Sequence, residues 1–294
     1  MSRKMPLIGK SGLPWNSLVF GHGTSPSAFE TWRNRPVDGV LYFPARRSWD
    51  DLGHLPPRRA DDMVVYSIPP FPAGGSNSEL AAGAYDSAIA TFAATFLAAG
   101  WDTPRTAIRL GWEVNGDWYE WGWAREGVPA AVAGFQRFVT VARNAGMTQT
   151  RWEWNLNKGP SSSTAGYDWT IGYPGDEYVD VIGIDPYDMW QPTYTEAEWA
   201  STLRNKNPGL DDIADFAQAH GKQVAIDEWG VVHANGGGYD NPFYIAKMGE
   251  WLRDNCSLVA WESTYDFGDS KLSAGLSPRA AEQYRKAYPN GWGR

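Results

Sequence analysis

Near the middle of the chain lies the stretch Arg109-Leu110-Gly111-Trp112-Glu113-Val114-Asn115-Gly116-Asp117-Trp118-Tyr119. An apolar run, Thr106–Leu110, leads into it, and a carboxylate flanked by tryptophan and asparagine follows. A short apolar run bounded by glycine is typical of a buried strand. We therefore predict a strand that delivers Glu113 to the mouth of a cleft.

A second stretch of the same kind lies downstream, at Gln223-Val224-Ala225-Ile226-Asp227-Glu228-Trp229-Gly230. It is again a short β-rich run that ends in a glutamate beside a tryptophan. Two carboxyl groups at the ends of two strands are what retaining cleavage of a glycosidic bond needs, because one is the nucleophile and the other the acid and base. A lone glutamate at a strand end is usually a salt-bridge residue, but the repeated pattern favours catalysis by Glu113 and Glu228.

The rest of the chain repeats one pattern: a short apolar strand, a loop rich in Gly, Pro or Trp, and a helix. Strands that alternate with helices indicate a parallel sheet. The eight predicted strands are Ser17–Gly23, Val37–Phe43, Met63–Ile68, Ala107–Glu113, Thr150–Asn155, Val179–Asp185, Lys222–Asp227 and Leu258–Glu262. This count predicts an α/β fold, a (β/α)8 TIM barrel, with short connections after strands two and five. A doubly wound open sheet is the alternative, but the sequence has no Gly-rich phosphate loop to support a nucleotide site.

Start and stop signals define the predicted helices. Ser25-Pro26 combines an N-cap residue with a proline in the first turn. The alanine-rich segment Glu79–Ala99 is predicted as one long helix that ends at Gly100, and the segment Thr195–His220 as a helix broken at Asn207-Pro208-Gly209. Further helices are predicted over Pro129–Ala145, Pro242–Asn255 and Pro278–Ala287. We expect a single domain over residues 1–294, with residues 1–14 as an N-terminal extension.

The alternation of side chains along the predicted strands assigns charged residues to the barrel interior. In strand four, Arg109, Gly111 and Glu113 share one face, and the apolar residues of the other face should contact the helices. Charges inside a barrel are costly unless they are paired. We therefore expect a supporting ion-pair network beneath the rim, formed by Arg109, Arg151, Glu153 and Asp185.

Composition argues against several classes of function. The net charge of −8 is unsuited to a nucleic-acid partner, which requires a basic face. No apolar run is long enough to span a membrane, and Cys256, the only cysteine, excludes a disulfide and a thiolate metal site. No His, Asp or Glu cluster has metal-ligand spacing, so neither a metal nor a cofactor is expected. A serine hydrolase is disfavoured because the Gly-x-Ser-x-Gly elbow is absent.

The 17 tryptophans exceed what a core needs, and exposed aromatic rings are natural platforms for sugars. About half are expected in the barrel wall, and some of those near strand ends are candidate platforms: Trp118, Trp121, Trp123, Trp190 and Trp229. The expected partner is a polysaccharide, and the expected state is a monomer. Such a substrate predicts an extracellular location, although residues 1–10 lack the apolar core of a signal peptide.

The segment Trp112–Trp121 resembles the strand-four motif of glycoside hydrolase family 26, a family of retaining barrel glycosidases in which the motif glutamate is the acid/base and a strand-seven glutamate is the nucleophile. The resemblance implies these roles for Glu113 and Glu228. It also implies that Tyr187, in Gly183-Ile184-Asp185-Pro186-Tyr187-Asp188, contacts the nucleophile and that Trp261 lies under the sugar. His22, in Phe20-Gly21-His22, is similar to a Gly-His of strand one.

One departure from the family pattern is Trp112, which replaces a histidine that contacts the sugar near the reacting centre. A mannan substrate is therefore not carried over, and mixed-linkage β-glucan, xylan or another cell-wall glycan stays open. The residues expected to bind substrate are Tyr187, Trp261, Trp118, Asn115, His22, Trp190, Trp229 and Trp112.

Three hypotheses remain at the level of the sequence. The first is a retaining endo-acting glycoside hydrolase on a polysaccharide. The second is a non-catalytic carbohydrate-binding barrel of a surface or virion assembly, which would have no reason to keep both Glu113 and Glu228. The third is an enzyme of a neighbouring family that acts on a different sugar, which Trp112 keeps open.

Overall fold

The structure is a computed structural model that describes residues 9–159 and 168–290, the last three without their side chains. Part of the predicted N-terminal extension and the serine-rich segment 161–164 lie outside the described residues. Eight strands form a closed barrel in chain order, which confirms the (β/α)8 prediction. They are β1 (Asn16–Phe20), β2 (Gly39–Tyr42), β3 (Met63–Ile68), β4 (Thr106–Leu110), β5 (Arg151–Asn157), β6 (Val181–Asp185), β7 (Gln223–Trp229) and β8 (Val259–Thr264).

Ten α-helices occur in the described ranges. They are α1 (Pro26–Arg33), α2 (Trp49–Leu52), α3 (Asn77–Ala81), α4 (Asp86–Ala98), α5 (Trp123–Glu126), α6 (Val128–Asn144), α7 (Glu196–Trp199), α8 (Leu210–Ala219), α9 (Pro242–Asp254) and α10 (Pro278–Asn290). The connections after β2 and β5 are not short, since they run from Tyr42 to Met63 and from Asn157 to Val181. In their described parts they contain little helix: the four-residue α2 in the first and a 3₁₀ turn, Trp169–Gly172, in the second. Among the described residues, no helix has the length and apolarity needed to cross a membrane.

The chain divides into two compact units, one made of Tyr42–Gly183 and the other of the residues up to Leu41 together with those from Ile184 onward. In the first unit, β4 pairs in parallel with β3 and with β5. In the second, β1 pairs in parallel with β2 and β8, and β7 pairs with β8. Parallel strands buried on both faces read as continuous apolar runs, as β3 does with six buried residues.

Helix α1 begins where the sequence predicts. The Ser25 side chain accepts a hydrogen bond from the backbone N–H of Ala28, and Pro26 occupies the first helical position. This arrangement satisfies an N–H that the helix itself leaves free. The predicted break at Asn207-Pro208-Gly209 is also present, because α8 starts only at Leu210.

The predicted long helix over Glu79–Ala99 is wrong. The chain forms α3 and α4 instead, separated by the segment 82–85. Gly83 lies there with φ of +88°, a left-handed conformation that ends a helix and that glycine adopts at little cost. The alanine content of this segment therefore predicts helix correctly, but it does not reveal where the first helix ends.

The predicted distribution of tryptophan is also wrong, since far more than half are buried. Of the 17 tryptophans, 16 lie in the described ranges, and 12 of these are buried. Only Trp118 and Trp190 among them are classed as exposed, with 45% and 70% of their surface accessible. Candidate sugar platforms among the described tryptophans are thereby reduced to these two.

Candidate active site

Glu113 lies beyond the strand that was expected to carry it. Strand β4 ends at Leu110, and the chain then turns through Gly111, with φ of +63°, and Glu113, with φ of +48°. A left-handed glutamate costs about 1–3 kcal/mol and persists only where its surroundings impose it. The strict alternation of Arg109, Gly111 and Glu113 on one strand face therefore does not extend to the glutamate.

Asn155 of β5 holds this strained turn. Its side-chain oxygen accepts hydrogen bonds from the backbone N–H of Glu113 at 2.8 Å and from the guanidinium of Arg109 at 3.0 Å. Its backbone carbonyl accepts the N–H of Val114 at 3.3 Å. Asn155 is fully buried, so it positions the glutamate backbone and has no free surface for a sugar hydroxyl.

The Glu113 carboxylate has a fixed donor in Trp118. The indole Nε1 donates to Glu113 Oε2 at 2.9 Å. The indole ring lies against Gly116, where an added Cβ would come within 2.6 Å of ring atoms. Gly116 thus leaves the space in which Trp118 lies flat and reaches the carboxylate.

Part of the expected charge network is present in the first unit. Arg109 Nε and Glu153 Oε1 lie 3.8 Å apart, and both side chains are fully buried. Arg151 is also buried, and its burial lowers its pKa, while Asp180 acts in the opposite direction. Of the expected network, the structure therefore shows the Arg109–Glu153 pair. Asp185, the fourth expected member, is fully buried at the end of β6 in the second unit.

Two expected sugar contacts near Glu113 are corrected by burial. Asn115 is fully buried and bonds to the backbone of Asn157, donating to its carbonyl at 2.8 Å and accepting its N–H at 2.7 Å. Trp112 is 3% exposed and packs against Phe43 and Trp121. Both residues stabilise the turn instead of offering surface to a ligand, since their polar and apolar surfaces are already in contact with protein.

Two guanidinium groups contact the ring of Trp112. Arg109 lies 6.0 Å and Arg46 5.5 Å from the ring centroid, distances typical of cation–π contacts. Arg46 also lies 5.8 Å from the ring of Tyr119 and 5.7 Å from that of Trp121. Arg46, which follows β2, was not singled out from the sequence, although a basic residue beyond a strand end was a usable signal.

Glu228 lies on β7 in the second unit, at a bulge. Ile226 pairs with Glu262 and Trp229 pairs with Thr264, so β7 contains one residue more than β8 between the two pairs. An extra residue of this kind breaks the alternation of side chains and re-aims them. Asp227 then accepts the indole N–H of Trp261 at 2.8 Å, and Glu228 contacts Tyr187.

Tyr187 holds the Glu228 carboxylate, as the family resemblance implied. Its hydroxyl donates to Glu228 Oε2 at 3.0 Å. Burial, and then the neighbouring Glu228 carboxylate, raise the pKa of Tyr187 well above its usual value, so the hydroxyl keeps its proton and stays a donor. The Pro186 carbonyl just before it accepts the hydroxyl of Tyr244 at 2.7 Å, which fixes the backbone of this loop on α9.

A series of aromatic contacts connects His22 to this carboxylate within the second unit. Tyr187 meets Tyr265 edge-on at 5.6 Å, and Tyr265 stacks on Phe20 at 4.5 Å. Phe20 contacts the ring of His22 at 5.6 Å, and His22 itself is exposed just beyond β1. His22 is thus three ring contacts away from Tyr187, which holds Glu228.

Two further tryptophans expected to bind sugar are fully buried. Trp229 donates to Glu262 Oε2 at 2.7 Å and lies 6.2 Å from the ring of Tyr244 on α9. Trp261 donates to Asp227 and has no exposed surface. Burial of both rings contradicts their expected role as sugar platforms, because stacking requires a free face.

Trp190 is held out into solvent by a strained loop. Its φ is +53° and that of Gln191 is +107°. Its backbone N–H donates to the carbonyl of Gly236 at 2.7 Å, and a Cβ on Gly236 would meet its ring at 2.8 Å. Trp190 thus repeats the arrangement of Trp118, an exposed indole lying against a glycine.

Asp188 secures that loop. It is fully buried, accepts from the backbone N–H and hydroxyl of Thr193 at 2.9 and 3.0 Å, and accepts from the Asn241 amide at 2.7 Å. No sequence pattern singled it out, since its partners lie on two different loops. Within residues 9–159 and 168–290, no group of three or more His, Cys, Asp or Glu is arranged to hold a metal ion.

Residues 87–261, more than half of the chain, match the sequence profile of glycosyl hydrolase family 26. The matched range contains both Glu113 and Glu228. The chain belongs to glycosyl hydrolase family 26. The family resemblance drawn from the strand-four motif is therefore confirmed, and the third hypothesis, a neighbouring family, is excluded.

Two relatives of this family 26 chain carry the names of different activities. An alignment of 185 residues shows 32% identity to Endoglucanase H of Acetivibrio thermocellus. It covers 60% of this chain and 19% of that protein. Over 162 residues the chain is 25% identical to a mannan endo-1,4-β-mannosidase of Bifidobacterium adolescentis, covering 53% and 16% respectively. The chain thus spans less than a fifth of the length of each relative.

Solved structures of family 26 proteins share the fold. An endo-β-1,4-mannanase double mutant from Cellulomonas fimi has a TM-score of 0.64 at 16% identity, covering 96% of this chain and 70% of that one. GH26C from Muricauda sp. MAR_2010_75 has a TM-score of 0.68 at 16% identity, covering 98% and 86%. At such identities the likeness concerns the barrel alone.

Proposed function

We propose that this chain is a retaining, endo-acting glycoside hydrolase that cleaves a β-linked polysaccharide by double displacement. Glu113 is the acid/base and Glu228 the nucleophile. The observation that carries the proposal is the hydrogen bond from Tyr187 to Glu228, because a protonated hydroxyl at 3.0 Å orients the carboxylate and stabilises its charged form.

In the first step, Glu113 donates a proton to the glycosidic oxygen while Glu228 attacks the anomeric carbon, so that the leaving chain departs and a glycosyl ester forms. In the second step, Glu113 removes a proton from water, and the resulting attack breaks the ester and releases Glu228. This chemistry requires the two carboxyl groups to be about 5–5.5 Å apart.

The surroundings of Glu113 support its assignment. The residue is held in a left-handed backbone conformation, and its carboxylate accepts a hydrogen bond from Trp118. Both features cost conformational freedom, and strained, over-determined residues are concentrated at functional sites. A rim salt-bridge glutamate would need neither feature.

The relatives and the exposed aromatics support the proposed substrate class. An endoglucanase and a mannan endo-β-mannosidase are both similar to this chain. We therefore propose a β-mannan, mixed-linkage β-glucan, xylan or related cell-wall glycan as substrate, with Trp118 and Trp190 as stacking platforms and His22 as a hydrogen-bonding contact. The exposed face of an indole ring stacks on the apolar face of a sugar.

The test is product release from a panel of mannan, mixed-linkage glucan, xylan and bacterial cell-wall glycans. We expect the wild type to cut one of these polymers and Glu113→Gln and Glu228→Gln each to lose several orders of magnitude in kcat. Glu177→Gln is the matched control, since Glu177 is exposed and its side chain makes no ion pair in the described structure. Equal activity of wild type and both variants would refute the assignment.

The two roles are separated by azide rescue of the alanine variants on an activated aryl glycoside. Azide should restore turnover of Glu113→Ala with a product of retained configuration, because azide replaces water at the glycosyl enzyme. In Glu228→Ala it should give the inverted glycosyl azide, because azide replaces the nucleophile itself. The opposite pattern of configurations would exchange the two roles.

A further inference from the structure

A small cavity of about 230 Å³ opens within the unit Tyr42–Gly183 beside the Glu113 turn. Its walls are largely aromatic, and we call it the Arg46 groove after the one basic residue in it. The lining side chains that matter here are Arg46, Phe71, Trp118, Tyr119, Glu120 and Trp121. Trp118 connects it to the proposed chemistry, since the same indole hydrogen-bonds to Glu113.

The guanidinium of Arg46 is held in the groove by contacts with aromatic rings. The guanidinium lies 5.5–5.8 Å from the ring centroids of Trp112, Tyr119 and Trp121. A guanidinium that stacks on aromatic rings keeps its N–H groups directed outward in its own plane. Arg46 is exposed, and no carboxylate of the described residues lies within ion-pair distance of it.

The two charged neighbours of Arg46 are already engaged. Glu120 lines the same groove, but its carboxylate accepts the backbone N–H of Gly74 at 3.3 Å and forms no ion pair with Arg46 in the described structure. Arg47, the next residue, is paired with Asp51 at 3.1 Å. Arg46 is therefore an exposed cation that lies against aromatic rings and forms no ion pair among the described residues.

The chemistry that matches an oriented guanidinium is a carboxylate, which accepts two parallel N–H bonds. Sugars carry this group as uronic acids. The net charge of −8 repels a polyanion, but that repulsion is screened beyond about 8–10 Å at physiological ionic strength. The combination favours a glycan with scattered acidic substituents over a polymer that is acidic at every residue.

We propose that the Arg46 groove is a subsite for a carboxylate-bearing sugar of the polysaccharide and that Arg46 is the specificity-determining residue. The inference rests on the proposed function, because it names a substrate class for the same site. The exposed face of Trp118 covers the sugar ring, and Arg46 binds its carboxylate. Trp118 lines the groove and also hydrogen-bonds to Glu113, the proposed proton donor. The acidic substituent therefore lies close to the bond that is cut.

The test compares polymers that differ only in their carboxyl groups. One pair is a xylan with glucuronic acid substituents and the same xylan after carboxyl reduction; mannan and mixed-linkage glucan, unmodified or lightly oxidised at C6, give two further pairs. The readout is the ratio of kcat/KM for the acidic polymer to kcat/KM for the neutral one. We expect a ratio of about ten to one hundred for the wild type at low ionic strength, as for loss of one charged hydrogen bond.

Three variants make the outcome specific. Arg46→Gln should bring the ratio to about one, and Arg46→Lys should retain part of it, because lysine keeps the charge but loses the planar fork. Arg47→Gln should leave the ratio unchanged. High salt should lower the wild-type ratio. A ratio of one in the wild type, or an equal loss on both polymers in Arg46→Gln, would overturn the subsite.

Failure of the proposed function is distinguishable from failure of this inference. If the wild type cuts none of the polymers, hydrolysis is refuted, and the same polymer pairs are then compared by calorimetric binding. Tighter binding of the acidic polymer that disappears in Arg46→Gln supports the subsite without catalysis. Equal binding of both polymers, or no binding of either, overturns it.

Discussion

At the scale of single residues, Gly116 is a position where one added methyl group is expected to change catalysis. A Cβ there would lie 2.6–2.8 Å from the six-membered ring of Trp118, closer than real Cβ contacts. We therefore expect Gly116→Ala to displace the indole and remove its hydrogen bond to Glu113. Loss of one hydrogen bond to a carboxylate is worth about 1.5–3 kcal/mol, so kcat should fall roughly tenfold to one hundredfold.

The measurement is steady-state kinetics on the polymer that the panel identifies. Gly53→Ala is the matched control, because a Cβ at Gly53 meets only ordinary contacts from 3.6 Å. Trp118→Phe, which keeps a ring but lacks Nε1, should reproduce the loss of kcat. If Gly116→Ala retains full activity while Trp118→Phe loses it, the steric part of this argument is wrong.

Residue types alone did not reveal which polar groups were already satisfied. Asn115 lies two residues after Glu113 and Asn155 at the predicted end of strand five, and nothing in the sequence separates the roles of the two amides. Asn115 bonds to the backbone of Asn157, and Asn155 bonds to that of Glu113. A side chain whose donors and acceptors are used by the backbone is not available to a sugar, and this depends on contacts between strands that no local motif encodes.

At the scale of elements, the turn after β4 depends on a side chain from β5. Asn155→Ala removes the acceptor shared by the backbone of Glu113 and the guanidinium of Arg109. Because the Arg109 donor is fully buried and the Glu113 N–H partly so, the free energy of unfolding should fall by about 2–3 kcal/mol. The kcat should fall as well, because the glutamate loses its fixed position.

The measurement is urea unfolding followed by tryptophan fluorescence, with a lower midpoint and an unchanged m-value expected. Asn157→Ala is the control, since Asn157 lies two residues further on the same strand and uses its backbone, not its side chain, to bond Asn115. A midpoint shift as large in Asn157→Ala as in Asn155→Ala would argue against a specific role of the Asn155 oxygen.

The predicted strands were found in order, and the errors lie where the backbone leaves the regular pattern. Strand four was predicted to run to Glu113, but the left-handed conformation of Gly111 ends it earlier. In β7 the bulge between Ile226 and Trp229 changes which side chains share a face. Apolar periodicity detects a strand, but a turn or bulge adds one residue without changing composition, so the directions of the Glu113 and Glu228 side chains were not predictable.

At the scale of the whole molecule, the count of strand–helix units predicted the barrel, because each unit has its own apolar signal. The allocation of tryptophans was less predictable. Trp229 lies on β7 and Trp261 on β8, and both were expected to contact sugar. Both are buried, and they donate to Glu262 and Asp227 respectively. A buried carboxylate that accepts an indole N–H lets a ring with one polar group enter the core.

Glu262 gives the molecule a predicted dependence of stability on pH. Burial raises its pKa in the folded state, although hydrogen bonds from Ser17 and Trp229 act in the opposite direction. The folded protein therefore binds this proton more tightly than the unfolded chain does. It follows that the contribution of Glu262 to stability decreases as pH rises from the ordinary glutamate pKa, about 4.3, through the raised value.

Urea unfolding measured from pH 4 to pH 8 tests this sign. Relative to Glu262→Gln, the wild type should lose stability with rising pH by up to about 1.4 kcal/mol per pH unit at the steepest point. Glu282→Gln is the control, because Lys286 lowers the pKa of Glu282 and its titration lies at more acidic pH. If the wild type gains stability relative to Glu262→Gln over this range, the hydrogen bonds from Ser17 and Trp229 outweigh burial. Glu262 is then ionised in the folded protein.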